Sequence, residues 1–306
     1  MHQSDRDTIL VPTDFSDVSE FAIDHAVEIA KIFNHRICLL HVVSKRTPGT
    51  KRHIAIQEKL QKQADAVSRR TRLSVSFLVE SGSIFTMISE VADRIAAEFI
   101  VMGIHGKKGL QHLLGSYAYK VVCSANVPVM VVKHMHHHVG YQNIIVPIDF
   151  SRESTQKITQ AILFAKYFNA RVRVFGFLSS INKAKIIKKE ALLKNVTDVF
   201  KKQRIPVTTD LLVKPGTDWE GALMRFAEET DADLIMIVAE KGSRIPEIFS
   251  SNSAENIIDK AEVPVLTFVP QAEDQVSPGS KKAIVRSFVD PLGLLDSKPG
   301  NDDRNF

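Results

Sequence analysis

Thr8–Arg36 aligns without a gap on Asn143–Arg171, at an offset of 135 residues and with 14 identities in 29 columns. The match returns near the other end of each half, where Ile100–Val132 aligns gaplessly on Met236–Phe268 at an offset of 136. A repeat of this length is a duplicated domain rather than a solenoid unit. Whatever fold one half adopts, the other must adopt too. The 306 residues therefore divide into expected halves at 1–139 and 140–270 and a tail at 271–306, and each half is long enough to bury its own core.

Within the first half, apolar runs alternate with helical patterns. Ile9–Thr13, Ile37–Val43, Ser74–Val79, Phe99–Met102 and Val127–Val132 read as strands. Between them, 16–33, a segment after the Pro/Gly-marked loop at 47–50 through about Arg70, 84–97 and about 117–124 read as helices. Strands written as unbroken apolar runs are buried on both faces, which implies a parallel sheet covered by helices on each side. The predicted fold is α/β, with two tandem doubly wound five-stranded Rossmann-like domains. The last strands, Val127–Val132 and Val263–Phe268, are strongly apolar and would close each sheet at an edge. Exposed edges of this kind tend to pair. The tail is broken by Pro, Gly, Ser and Asp, and is expected to be mobile apart from a short docked piece within 283–295.

Composition narrows the function. An apolar fraction of 44% and a charged fraction of 25% are those of a globular protein. No apolar run approaches the roughly 20 residues of a membrane span, and MHQSDRDTIL lacks a signal-peptide core. A cytoplasmic protein without membrane partners is expected. Cys38 and Cys123 lack Cys-x-x-Cys spacing and are expected to be buried thiols. Much of the net charge of +5 sits in Lys183–Arg204, where Ile186, Ile187, Leu192, Leu193, Val196, Val199 and Phe200 recur at helical spacing, so the lysines read as a solvated face. Interleaved arginines and aromatics, which nucleic acid would want, are missing. The run His134–His138 reads as a polar linker, because adjacent histidines on an extended chain do not converge on one metal.

Two segments of the first repeat carry chemistry. Its first strand ends in Val11-Pro12-Thr13-Asp14; its fourth ends in Met102-Gly103-Ile104-His105-Gly106-Lys107-Lys108-Gly109, with Gly115-Ser116 opening the next helix. In open parallel sheets ligands bind beyond the carboxyl ends of strands where the strand order reverses. If the first and fourth strands are neighbours there, both segments line one crevice. Glycines let the backbone approach an anion, and the helix start offers unpaired N–H groups and a positive dipole end, with Ser116 as an N-cap. Asp14 is then placed to accept hydrogen bonds from a base or sugar. Equally, since it precedes Phe-Ser and a helix, it could serve only as a helix-entry residue. The glycines could make only a tight turn, and Lys107 and Lys108 could be a plain exposed pair.

These residues resemble the universal stress protein family in its tandem form, over about 7–133 and 142–269. The resemblance implies a binding and signalling role in the stress response. It implies ATP as ligand, with or without Mg²⁺, Pro12, Thr13, Asp14 and Val42 near adenine, Met102, Gly103 and Gly106 near ribose and phosphate, and Gly115 with Ser116 at the phosphates. It also implies that the two last strands meet, making the two halves an intramolecular pseudo-dimer able to engage a protein partner or further copies of the chain. The spacer 107–114 is eight residues, one fewer than the family's ATP motif carries, which bears on the phosphate contacts more than the adenine contacts. The second repeat departs further: Ala239, Ser251 and Asn252 stand opposite Gly103, Gly115 and Ser116, while Gly242 and Asp149 remain. Its site is expected to be empty or altered. No catalytic constellation is visible, so an enzyme is not expected. The competing readings are a nucleotide-free interaction scaffold and a low-activity ATPase.

Overall fold

A computed structural model describes residues 8–104, 115–133, 140–148, 153–179, 181–216, 218–238 and 253–268. The histidine run, the glycine-rich loop after the fourth strand, the Asp149 turn and the tail lie outside them.

The N-terminal half runs β1 (Thr8–Pro12), α1 (Asp17–Phe33), β2 (Arg36–Val43), α2 (Lys51–Thr71), β3 (Val75–Ser81), α3 (Ile84–Arg94), β4 (Phe99–Gly103), α4 (Gly115–Ser124) and β5 (Val129–Val132). The second half repeats it as β6 (Asn143–Ile148), α5 (Glu153–Phe168), β7 (Arg171–Leu178), α6 (Lys183–Lys202), β8 (Val207–Val213), α7 (Trp219–Glu229), β9 (Leu234–Val238), α8 (Ser253–Lys260) and β10 (Val265–Phe268). Local signals set these elements. In α1 the Ser16 side chain accepts from the Ser19 N–H, Asp17 and Glu20 complement the positive end, and Ala22, Ile23, Ala26, Val27, Ile29 and Ala30 form the buried stripe. Asn34 closes the helix at φ 56°, in the left-handed region, and His35 N–H turns back to Ala30 O at 2.9 Å. The duplicate does the same with Asn169 at φ 51° and Ala170 N–H on Ala165 O at 2.9 Å.

All ten described strands form one sheet, in the order β3-β2-β1-β4-β5-β10-β9-β6-β7-β8. Every pairing is parallel except β5 with β10, where Val131, Met130 and Val129 face Val265, Leu266 and Thr267. Strand alternation splits the core in two. Ile9, Val11, Ile37 and Leu39 meet α1 and α2 on one face, while Leu10, Cys38, Leu40, Ile100 and Met102 meet α3 and α4 on the other. The α5/α6 and α7/α8 pairs continue these two layers across the sheet. The apolar last strands thus pair as expected, and the two doubly wound domains form a pseudo-dimer. Aromatics brace the seam: Phe33 on α1 lies 4.4 Å from Tyr167 and 5.8 Å from Phe164, both on α5. Buried Tyr141, just after the histidine run, joins His25 Nδ1 to its hydroxyl at 2.6 Å.

Three sequence expectations shift. The helix predicted over 84–97 stops at Arg94, because Ala96 takes φ 49° and Ala97 N–H closes on Ala92 O at 2.8 Å. Ile187 does not join the buried stripe of α6 but is 65% exposed. Of the two thiols, Cys38 is buried and Cys123 half-buried; burial pushes the Cys38 thiol above its ordinary value. Among the described residues, no helix is long and apolar enough to cross a membrane.

Candidate functional site

The strand order supplies the premise that the sequence left conditional. β1 pairs in parallel with β2 on one side and with β4 on the other, so the order reverses between β1 and β4. The carboxyl ends of both strands therefore lie side by side at the reversal, where a ligand crevice is expected, with Pro12, Thr13 and Asp14 from β1 beside Gly103 from β4 and Val42 from the neighbouring end of β2.

The β1–α1 turn is a closed polar network. Thr13 is buried; its N–H donates to Leu40 O at 2.8 Å, and its hydroxyl donates to Ser19 Oγ at 3.1 Å while accepting from Phe15 N–H at 3.1 Å. Asp14 is exposed, and its Oδ1 accepts from Ser16 N–H at 3.0 Å and Ser16 Oγ at 2.5 Å. The helix-entry role considered for Asp14 is therefore real. It leaves the residue at the rim of the crevice, where a ligand role is also compatible with its exposure. Phe15 adopts φ 66°, a left-handed conformation that is an outlier for a bulky side chain. Nothing in the sequence marks this position, since turn chemistry points to Gly or Asn there.

His41 sits behind this turn, its ring centroid 4.7 Å from that of Phe15 and its Nδ1 2.7 Å from Thr13 O. A carbonyl only accepts, so Nδ1 carries the proton. Burial holds the His41 pKa below its ordinary value, the Thr13 hydrogen bond and Asp14 pulling the other way and Lys59 and Arg52 adding to the depression. The folded chain thus binds this proton more weakly than the unfolded chain. The associated stability is fully present above the unfolded value near 6.5 and is lost as pH falls through the lower folded value. Urea unfolding is expected to show a lower midpoint at acidic than at neutral pH, with His41→Gln shrinking the difference; an unchanged difference in the variant overturns the assignment.

On the other wall, Met102 is 1% exposed in the α3/α4 layer, so its backbone rather than its side chain borders the crevice. Val42 is half-buried against the same layer. Gly103 has a packing role of its own: a Cβ there would lie 2.5 Å from Val18 O and 2.8 Å from Val18 Cγ1. The absent side chain lets the first turn of α1 settle against the end of β4. α4 begins at Gly115, so Ser116 lies within the first helical turn rather than at the N-cap. Gly106 lies outside the described residues.

At the matching end of β6, alignment missed one feature. Lys157, which replaces Ala22, is 3% exposed and donates from Nζ to Pro147 O at 2.8 Å. A buried amine is thus built into the C-terminal half where the N-terminal half has a methyl group. Asp149, Ala239, Gly242, Ser251 and Asn252 lie outside the described residues. Among the described residues, no cluster of three His, Cys, Asp or Glu side chains could hold a metal ion.

The sequence profile of the universal stress protein family matches residues 5–133 and again 140–268. A universal stress protein of Methanocaldococcus jannaschii is 35% identical over 137 residues, covering 41% of this chain and 81% of that protein. The crystal structure of a universal stress protein from Archaeoglobus fulgidus superposes with a TM-score of 0.68 at 19% identity, covering 89% of this chain and 99% of its own; that likeness concerns the fold. A shorter universal stress protein from Archaeoglobus fulgidus, solved in complex with dAMP, is 25% identical with a TM-score of 0.35 over 42% of this chain and 97% of its own.

Proposed function

This chain belongs to the universal stress protein family, and we propose that its N-terminal half binds ATP or a related adenine nucleotide between β1 and β4, as a binding and signalling module rather than an enzyme. One observation carries the reading. The reversal of strand order falls between the two strands whose ends hold the Pro12-Thr13-Asp14 and Met102-Gly103 segments, which is where open α/β sheets receive ligands. Asp14 and the half-buried Val42 would meet the base, and the backbone at Gly103 and Gly106 the ribose and phosphates. The unpaired N–H groups at the Gly115-Ser116 start of α4 would meet the phosphates. Mg²⁺, if carried, would arrive with the triphosphate. A nucleotide at this crevice touches α1 and α4, the helices that pack against α5 and α8 across the seam. Its binding would in this way alter the surface both halves offer a protein partner.

The scaffold reading has one observation in its favour, the packing of Gly103 on Val18, which explains that glycine without any ligand. Calorimetric titration with ATP and Mg²⁺ separates the two. The expected result is saturable binding near one site per chain that Gly115→Glu abolishes by placing a carboxylate among the phosphates. Absence of binding at millimolar ATP leaves the scaffold.

A further inference from the structure

The left-handed Phe15 is paid for by something. Its ring is tilted against the His41 imidazole at 4.7 Å, and Lys59 Nζ, reaching over from α2, stands 4.1 Å from the ring centroid. The remaining edge packs into the α1/α2 layer of the core. A single residue thus ties β2, α2 and the β1–α1 turn together at the base end of the crevice. Its backbone lies between two anchors: its N–H bonds Thr13 Oγ1, and the next residue, Ser16, bonds Asp14 Oδ1 through both N–H and hydroxyl. Left-handed backbone strain in a bulky residue persists only where surrounding contacts over-determine it. Here the contacts are the aromatic stack and the cation above it. The Asp-Phe-Ser triplet recurs in sequence at Asp149-Phe150-Ser151, where Gly176 stands at the position of His41.

We infer that Phe15 is a positioning residue for the nucleotide site: its ring, clamped between His41 and Lys59, holds the turn in its left-handed form and thereby fixes the carboxylate of Asp14 at the rim. The inference rests on the nucleotide reading above. It also makes α2 a lever on the site, because Lys59 is the outer jaw of the clamp.

The test compares ATP affinity of the full chain with those of Phe15→Ala, Phe15→Gly, Phe15→Tyr and Lys59→Met, together with the His41 titration followed by NMR. Alanine keeps the backbone penalty and loses the ring, so ATP affinity falls on the order of tenfold. Glycine loses the ring too but adopts positive φ freely, so it recovers most of that loss although its side chain is smaller still. Tyrosine keeps the clamp and binds like the parent, and Lys59→Met weakens binding by about two- to threefold. In Phe15→Ala the His41 pKa rises as the ring that buries it is removed, against the fixed influences of Asp14, Lys59 and Arg52. Equal affinity of the parent and Phe15→Ala overturns the inference alone. Glycine binding as poorly as alanine or worse also overturns it, because the ring would then act as packing and not through the turn. A parent chain that binds no ATP at millimolar concentration overturns the nucleotide reading, and this inference with it.

Discussion

Phe164→Ala is expected to remove about 3–5 kcal/mol of folding stability and to weaken both halves at once. Phe164 is 0% exposed on α5, yet its aromatic neighbours include Phe33 of α1 at 5.8 Å and Phe99 of β4 at 6.0 Å, both from the other half, as well as Phe168 at 5.7 Å. Truncating it opens a cavity on the seam rather than inside one domain, and close-packed interiors relax only partly around such a void. The single tryptophan, Trp219 on α7, reports the C-terminal half, while amide exchange along α1 reports the N-terminal half. Both signals should move to lower urea together. Leu193→Ala, buried on α6, should act mainly on the tryptophan signal. A Phe164→Ala chain whose α1 exchange is unchanged would show that the two halves do not depend on the aromatic seam for their stability.

The seam was legible in the sequence, and the reason lies in Val129–Val132 and Val265–Phe268. Strongly apolar last strands close each sheet at an edge, exposed edges tend to pair, and the family resemblance implied that these two meet each other, as Val129–Val131 and Val265–Thr267 do. The same logic revealed the parallel sheet, because strands buried on both faces cannot alternate in polarity. Positions decided by backbone conformation were legible only where the residue type betrays them. Asn34 and Asn169 close their helices as asparagine often does, but Ala96, Arg72 and Arg204 take the same left-handed turn with side chains that give no sign of it. That is why the helix ending at Arg94 reads three residues too long. Phe15 escaped for the same reason, its φ being set by His41 and Lys59, 26 and 44 positions further along the chain. Ile187 misled in the opposite direction: its spacing fits the apolar stripe of α6, but it is 65% exposed, and Ile186 is only half-buried. Within the candidate site, residue types pointed to a ligand crevice. They could not show that Gly103 has a neighbour in α1.

Gly103→Ala is expected to cost about 1–3 kcal/mol of stability without any ligand present. The added methyl would sit 2.5 Å from the Val18 carbonyl oxygen and 2.8 Å from its carbonyl carbon, and backbone cannot swing aside as a flexible side chain can. Relief requires the first turn of α1 to lift from β4. That turn begins at Ser16, whose N–H and hydroxyl both bond Asp14 Oδ1, so the disturbance reaches the rim of the crevice even though Asp14 itself is untouched. Urea unfolding in the absence of nucleotide separates the two explanations of this glycine. A glycine kept only for close approach of a ligand would let the alanine variant unfold at the parental midpoint while losing ATP affinity. The packing explanation predicts a lower midpoint first, with any loss of affinity following from the shifted α1 start, and therefore a partial recovery of binding in Gly103→Ala when Val18→Ala removes the Cγ1 contact at 2.8 Å. The recovery can only be partial, because the clash with the Val18 carbonyl is unaffected by its side chain.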